Sequence, residues 1–178
     1  MVRLVALLGS INVGGNRLKM ADLKAALEDA GFANVKTVTA SGNVLFDGDP
    51  DALAAHAQRI SDVVEAKFGI ATFAVVTTRE GLLDAVCESP FAETGSENQV
   101  HVHFLEAAPE ARNFAQLIED QAERGSERLA PGAGVLHIDF AGGVASSKLS
   151  SAFMAKRLGC RGTARNIRSI RRIAEAMV

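Results

Sequence analysis

The segment VRLVALL, from Val2 to Leu8, decides how this chain folds. It is an almost continuous apolar run, which is suited to a central β-strand. After this run, apolar residues recur at helical spacing over residues 20–30, until Gly31 ends the predicted helix. The chain therefore begins with a central strand that is followed by an amphipathic helix.

The rest of the first half repeats this alternation of strands and helices. A turn at Ser41-Gly42-Asn43 separates two short β-rich runs, and Asp49 before Pro50 is suited to start a helix that ends at Gly69. The remaining segments are a strand over 35–39, a strand over 44–47 and a strand over 70–77. The order β-α-β-β-α-β predicts the ferredoxin-like plan, in which two helices cover one face of a four-stranded antiparallel sheet.

The second half follows the same plan after a helix over 79–88 and a turn-rich connector. Its predicted elements are a strand over 99–105, a helix over 109–124, a hairpin of 126–129 with 134–140 across Pro131-Gly132, a helix over 148–158, a short strand over 163–165 and a helix over 166–177. We therefore predict an α+β protein with two ferredoxin-like halves, residues 1–78 and 99–178, joined by a linker at 79–98.

Composition narrows the class of protein. Hydrophobic residues make up 48% and charged residues 22% of the 178 residues, which excludes a disordered tail. No apolar run approaches the roughly 20 residues that a membrane span needs, and the first apolar run is too short for a secretory signal. Cys87 and Cys160 form no disulfide framework. We expect a cytoplasmic protein without a membrane partner.

Charge is distributed unevenly along the chain. Residues 148–178 carry eight Lys or Arg and one acid, a net charge of +7, whereas the other 147 residues carry −9. Placed on the last helix, Arg165, Arg168 and Arg172 would share a face and form a platform for phosphate groups. The alternative is a solvated helix face that pairs with the acidic remainder of the molecule.

A glycine-rich loop follows the first strand and offers a second candidate site. Asn12, Gly14 and Gly15 lie where backbone N–H groups and a helix N-terminus can hold an anion, although neither standard phosphate fingerprint is complete. The predicted topology brings the Ser41-Gly42-Asn43 turn to the same end of the sheet, so Ser41 and Asn43 join the candidate site. The alternative is turn chemistry alone.

A third loop, near residue 147, pairs a hydroxyl with a cation. Ser147 and Lys148 stand at the predicted start of a helix, where they would bind a phosphate or a carboxylate. Lys148 lies six residues after Gly142, but the other residues of a nucleotide-triphosphate loop are missing. The alternative is a helix cap with an exposed lysine.

A metal site built from histidines and a nucleophilic cysteine are both less favoured by the sequence than an anion-binding site. His101 and His103 alternate on one predicted strand, and we expect His137 and Asp139 to share their face, which would offer metal ligands on an uncovered sheet. Polar residues on such a face are common, so we predict neither a metal nor a cofactor. Arg157 and Arg161 flank Cys160 and would lower the pKa of its thiol, but no base is evident beside it.

Four short segments identify a family resemblance. They are residues 7–15 (LLGSINVGG), 41–44 (SGNV), 147–149 (SKL) and 163–166 (TARN), and together they resemble the bacterial domain-of-unknown-function family DUF1697 over nearly the whole chain. The resemblance implies a cytosolic α+β protein with ferredoxin-like halves and no established activity. Members usually have Arg where Ser10 stands and Trp where Ile167 stands. If that pair holds a ligand in the family, this protein should bind the ligand more weakly or bind a different one.

Three classes of function remain open at this point. The leading hypothesis is a binding module for a phosphorylated ligand, which is either a small molecule such as a nucleotide or the phosphates of a nucleic acid. Its expected ligand residues are Asn12, Gly14, Gly15, Ser41, Asn43, Ser147, Lys148, Arg165, Asn166, Arg168 and Arg172. The first alternative is a small enzyme with its site between the two halves, although no acid–base pair is evident. The second is an interaction protein or oligomer that docks an acidic surface.

Overall fold

The computed structural model describes all 178 residues and contains eight β-strands and six α-helices. The elements are β1 (Val2–Leu8), α1 (Met20–Asp29), β2 (Ala33–Val38), β3 (Asn43–Gly48), α2 (Leu53–Phe68), β4 (Ala74–Thr78), α3 (Arg79–Cys87), β5 (Val100–Leu105), α4 (Ala111–Ala122), β6 (Arg128–Pro131), β7 (Val135–Asp139), α5 (Ser151–Leu158), β8 (Gly162–Asn166) and α6 (Ile167–Ala176). A short 3-10 helix, Pro50–Ala52, precedes α2.

The first sheet has the strand order β2-β3-β1-β4, and every neighbouring pair is antiparallel. Leu4, Ala6 and Leu8 of β1 lie in one apolar core with residues of α1 and α2, such as Leu23 and Ile60. The intervening residues of β1 are fully buried as well. Burial of both faces explains why the sequence of this strand is apolar without alternation.

The second sheet has the order β6-β7-β5-β8, again antiparallel throughout, which is the order of the first sheet repeated. Leu136 and Ile138 of β7 pack in a core with Leu117 of α4 and Met154 of α5. The predicted α+β class, with two βαββαβ halves and two four-stranded antiparallel sheets, is confirmed.

Contacts divide the chain into two units. The first comprises Met1–Leu82 with Ile173–Val178, and the second comprises Leu83–Arg172. The sequence-based limits at residues 78 and 98 stay predictions. None of the six helices combines the length and the apolar character that a membrane-spanning helix requires.

The two halves differ most in the connection after their first strand. Residues 9–19 join β1 to α1, whereas residues 106–110 join β5 to α4, so these connections have eleven and five residues. The longer connection is the glycine-rich loop that the sequence singled out.

Three predicted boundaries were wrong. The strand predicted over 70–77 begins only at Ala74, because the Gly9 carbonyl beyond the end of β1 accepts from the Thr72 hydroxyl and not from a backbone N–H that would continue the ladder. The hairpin was expected to turn at Pro131, but Pro131 pairs with Leu136 inside the ladder and the turn follows it. The helix expected from residue 148 begins at Ser151.

Candidate functional site

A surface cavity of about 860 Å³ lies in the first unit. Its walls come from the β1–α1 loop, the first turn of α1, the residue after β2 and the end of α2. Three residues that the sequence proposed as ligands, Asn12, Gly14 and Gly15, are among those that line it. The volume falls within the range of about 300–1,000 Å³ that is usual for small-molecule sites.

The side chain of Asn12 holds the loop in shape. Its Oδ1 accepts a hydrogen bond from the Leu18 N–H at 2.8 Å, and its Nδ2 donates to the carbonyls of Leu18 at 3.2 Å and Ala40 at 2.7 Å. The bond to Ala40 joins the loop to the segment after β2, so the expected convergence of the two loops is confirmed. Both Nδ2 hydrogens already have acceptors, and Asn12 therefore organises the cavity wall.

Gly14 and Gly15 present open backbone to the cavity. Both have positive φ, 61° and 100°, and nothing lies within 4 Å of the place where a Cβ would stand on either residue. The N–H groups of Val13, Gly14 and Gly15 donate to no acceptor in the protein. Unsatisfied N–H groups in an exposed loop of this kind are available to an anion.

Two cationic side chains and a helix end stand beside these groups. Arg17 and Lys19 line the cavity, are exposed and make no ion pair. Lys19 is the N-cap of α1, and its side chain makes no capping hydrogen bond. The N–H groups of Met20 and Ala21, the first two of α1, have no acceptor in the protein, and they lie at the positive end of the helix dipole.

The remaining lining is largely apolar, apart from one acid. Met20 and Phe68 pack against the core of the first unit and are only partly buried, and both line the cavity. Asp22 in the first turn of α1 is the one carboxylate in the lining, and neither His nor Cys is present there. The cavity thus combines cations, free N–H groups, an apolar wall and a single acceptor.

Ser41 and Asn43 have different surroundings. Asn43 is fully buried, and its Nδ2 donates to the Val38 carbonyl at 3.0 Å and to the Thr39 Oγ1 at 2.9 Å. Ser41 is exposed and follows Ala40, which lines the cavity. Asn43 fixes the β2–β3 turn, and Ser41 lies next to the cavity without lining it.

The other predicted ligands belong to the second unit, where Ser147 is engaged by an acid. The Ser147 hydroxyl donates to the Glu127 carboxylate and accepts from the Leu149 N–H at 3.1 Å. The expectation that Ser147 and Lys148 begin a helix was wrong, because Ser150 caps α5 by accepting from the Phe153 N–H at 3.1 Å. Lys148 is exposed.

The placement of Arg165 on the last helix was also wrong. Arg165 lies in β8, opposite Val102 of β5, and α6 begins only at Ile167. Its Nη1 donates to Thr163 Oγ1 at 2.7 Å and to the Ala164 carbonyl at 2.9 Å. Burial lowers the pKa of its guanidinium to about 10, so Arg165 remains a cation at neutral pH.

Asn166 acts as a cap for α6. Its Oδ1 accepts a hydrogen bond from the Ser169 N–H at 2.8 Å. This bond satisfies one of the open N–H groups in the first turn of the helix. Asn166 thus has a structural task that its position beside Arg165 in the sequence does not reveal.

Much of the basic C-terminal charge is neutralised inside the second unit. Three arginines form ion pairs there: Arg157 with Asp120, Arg161 with Glu106, and Arg171 with Glu97. Hydrogen bonds from Arg161 hold the pKa of Glu106 below its usual value. Arg168 and Arg172 lie four residues apart on α6, exposed and without an ion pair. The excess of +7 along the sequence therefore overstates the free charge.

The histidines do not gather as expected. In the register of the second sheet His103 lies opposite Leu136, and His137 lies opposite Val102, so His101 and His103 occupy one face while His137 and Asp139 occupy the other. Neither face is uncovered, since His103 on one face and His137 and Asp139 on the other are buried. The protein contains no group of three His, Cys, Asp or Glu side chains that could hold a metal ion.

The thiol of Cys160 is less acidic than expected. Burial raises its pKa and the Glu106 carboxylate raises it further, and together these effects outweigh a backbone interaction at Ala107 that lowers it. Arg157 and Arg161 do not favour the thiolate as predicted, because each is paired with a carboxylate. Cys160 is therefore a poor nucleophile.

Arg17, Lys19, Asp22 and Phe68 were missed by the sequence analysis. Arg17 and Lys19 follow the glycine loop directly, and two cations between a Gly-Gly pair and a helix start were a usable signal. Basic residues are denser near the C-terminus, so charge density along the sequence does not single out Arg17 and Lys19. No local signal marks Phe68, which reaches the cavity from the end of α2.

Comparison with known proteins identifies a family and a shared fold. The profile of a protein family of unknown function, DUF1697, matches residues 1–137, so two of the four segments that carry the resemblance lie beyond the match. The structure is similar to that of a conserved bacterial protein from Streptococcus pneumoniae, with 20% sequence identity, a TM-score of 0.65 and coverage of 99% of this chain and 98% of the other. None of the curated proteins matches the chain.

Proposed function

This chain belongs to the DUF1697 family of proteins of unknown function, and on that premise we propose that it binds a phosphorylated ligand through the cavity of its first unit. The observation that carries the proposal is the convergence on one cavity of Arg17, Lys19 and the open backbone of Gly14 and Gly15. Charge-assisted hydrogen bonds of this kind suit phosphate oxygens.

Each group has a defined role in this proposal. The N–H groups of Gly14 and Gly15 donate to phosphate oxygens, as does the exposed N-terminus of α1. Arg17 and Lys19 supply the positive charge that balances the ligand. Asn12 does not touch the ligand but keeps the loop in the conformation that presents these donors.

A catalytic role has less support than a binding role. General acid–base catalysis requires groups that donate and accept protons beside the reacting atoms. The cavity offers Asp22 as its one carboxylate and contains neither His nor Cys. Binding is therefore the function that the geometry of the first unit supports best.

The second unit has its own candidate contacts with phosphate. Lys148, Arg168 and Arg172 are exposed and unpaired, which supports a role in binding an anion, whereas Ser147 and Asn166 are already engaged within the unit. Replacing Lys148, Arg168 and Arg172 by Ala tests this part of the proposal. A loss of affinity assigns these residues to the binding surface, and unchanged affinity restricts binding to the first unit.

Calorimetric titration of the 178-residue chain with ribose 5-phosphate tests the main proposal. We expect binding that weakens as salt is added, and a loss of about tenfold for each of Arg17→Ala and Lys19→Ala. Lys36→Ala is the matched control, because Lys36 is an exposed and unpaired cation of the first unit that does not line the cavity. Equal losses in all three variants, or no binding by the parent protein, would refute the proposal.

A further inference from the structure

The cavity contains two features that a bare phosphate does not use. Phe68 and Met20 form an apolar wall, although a phosphate has no apolar surface to place against it. Asp22 adds a carboxylate, which repels any anion that binds nearby. A ligand that fits the whole lining must therefore carry more than its phosphate.

We propose that the cavity binds a nucleoside monophosphate, with the base against Phe68, the phosphate at Arg17 and Lys19, and a ribose hydroxyl donating to Asp22. This inference rests on the proposed function and names the class of ligand for the same cavity. An aromatic ring stacks well on a planar base, and a carboxylate is a suitable acceptor for sugar hydroxyls. One small molecule then satisfies the ring, the acid and the cations together.

Charge favours a mononucleotide over a nucleic-acid strand. The first unit carries eight basic and ten acidic side chains, a net charge of −2. A long polyanion gains its affinity from many phosphate contacts and is repelled by a surface of the same sign. A single phosphate needs only the local cations, Arg17 and Lys19, which the cavity provides.

The inference is tested by calorimetric titration of the 178-residue chain with three ligands: adenosine 5′-monophosphate, ribose 5-phosphate and inorganic phosphate. We expect adenosine 5′-monophosphate to bind about tenfold more tightly than ribose 5-phosphate, since stacking of one base contributes about that factor. Inorganic phosphate should bind most weakly. If ribose 5-phosphate binds in an Arg17-dependent manner but the nucleotide binds no more tightly, the nucleotide assignment fails while the proposed function stands. If none of the three binds, both fail.

Phe68→Leu tests the stacking contact. Leu retains apolar bulk against the core, so we expect the variant to fold and to lose most of the tenfold preference for the nucleotide, with the affinity for ribose 5-phosphate unchanged. Phe153→Leu in the second unit is the matched control and should preserve the preference. A preference that survives Phe68→Leu would overturn the assignment.

Asp22 has two proposed effects: its charge repels phosphate, and its carboxylate accepts a hydrogen bond from the ribose. Asp22→Asn distinguishes these effects because they change the affinity in opposite directions. Removing the negative charge should strengthen the binding of inorganic phosphate, because a repulsion disappears, and weaken the binding of adenosine 5′-monophosphate about fivefold, because the charged acceptor is lost. If both ligands bind more tightly to the variant, Asp22 does not contact the ribose and the inference fails. Tighter binding of a single-stranded oligonucleotide than of the mononucleotide would also overturn it.

Discussion

The Asn12 amide nitrogen lies 2.7 Å from the Ala40 carbonyl oxygen, and this bond ties the β1–α1 loop to the segment that follows β2. Asn12 itself has a positive φ of 56°, a conformation that asparagine tolerates better than most residues. The same side chain bonds to both main-chain groups of Leu18. One residue thus sets the position of the loop relative to two neighbouring segments.

Asn12→Ala should release the loop. Three hydrogen bonds are lost, and because the site is partly exposed, water replaces some of them, so we expect a cost of about 1–2 kcal/mol in the free energy of unfolding. Urea denaturation measures this cost. Asn16→Ala loses a single exposed bond, to the Ser10 carbonyl, and should cost much less. A larger loss for Asn16→Ala would contradict the role assigned to Asn12.

Gly42→Ala should destabilise the first unit more than Gly69→Ala. Both glycines have positive φ, but an added Cβ at Gly42 would lie 3.1 Å from the Cβ of Leu8, whereas nothing lies within 4 Å at Gly69. We expect about 1 kcal/mol for Gly69→Ala from the backbone conformation alone and roughly 2 kcal/mol or more for Gly42→Ala. Denaturation midpoints provide the comparison, and equal losses would show that the close approach to Leu8 is unimportant.

Arg128→Ala should lower the free energy of unfolding, because it leaves the buried Asp139 carboxylate without its ion-pair partner. Asp139 is 2% exposed, and its carboxylate forms an ion pair with Arg128. The Cζ of Arg128 also lies 4.8 Å from the centroid of the Phe91 ring. Because Arg128 is half exposed, we expect a loss of about 2 kcal/mol in unfolding free energy, below the usual value for a fully buried pair. Arg112→Ala removes an exposed pair with Glu110 and should change stability by less than about 0.5 kcal/mol.

Stability should fall as the pH is lowered below about 6.5. Burial, together with the charges of Arg165 and His101, lowers the pKa of His103 to about 4. The unfolded chain therefore takes up a proton before the folded protein does, so stability is present above pH 6.5 and is lost progressively down to pH 4. We expect a loss of about 2 kcal/mol between pH 7 and pH 5 from this group alone.

His103→Leu isolates this contribution. Leu suits the apolar surroundings of Leu136 and removes the titrating ring, so the dependence of unfolding free energy on pH should flatten by the same amount. Urea denaturation at pH 7 and pH 5 gives the comparison. The residual slope reports on other groups, among them His101 and His137, whose pKa values burial also lowers. An unchanged slope would show that His103 does not titrate in this window.

The fold was predictable because its signals are local. The apolar run of β1, the helical spacing of α1 and α2 and the turns at Gly31 and Gly69 each depend on residues close in sequence. Only the ends of elements were misjudged, where a side chain or a neighbouring loop competes with regular structure. Ser150, which caps α5 three residues later than expected, is one example.

The site was less predictable because it depends on distant partners. Glu106 pairs with Arg161 across 55 positions of the chain, and Asp120 with Arg157 across 37, so a count of charges could not show which cations are free. The histidine faces depended on register, since a shift of one residue moves every side chain to the other face of a sheet. The contribution of Phe68 likewise depends on packing between elements.

The two halves share one strand order, yet the connection after the first strand has eleven residues in one half and five in the other. The extra length raises the entropy cost of closing that connection by only about 0.7 kcal/mol. The longer connection therefore adds little to the entropy cost of forming the strand order that both halves share. A change confined to the exposed residues 13–17, which leaves Asn12 and the buried Ile11 and Leu18 in place, should alter the proposed binding cavity while both sheets continue to fold.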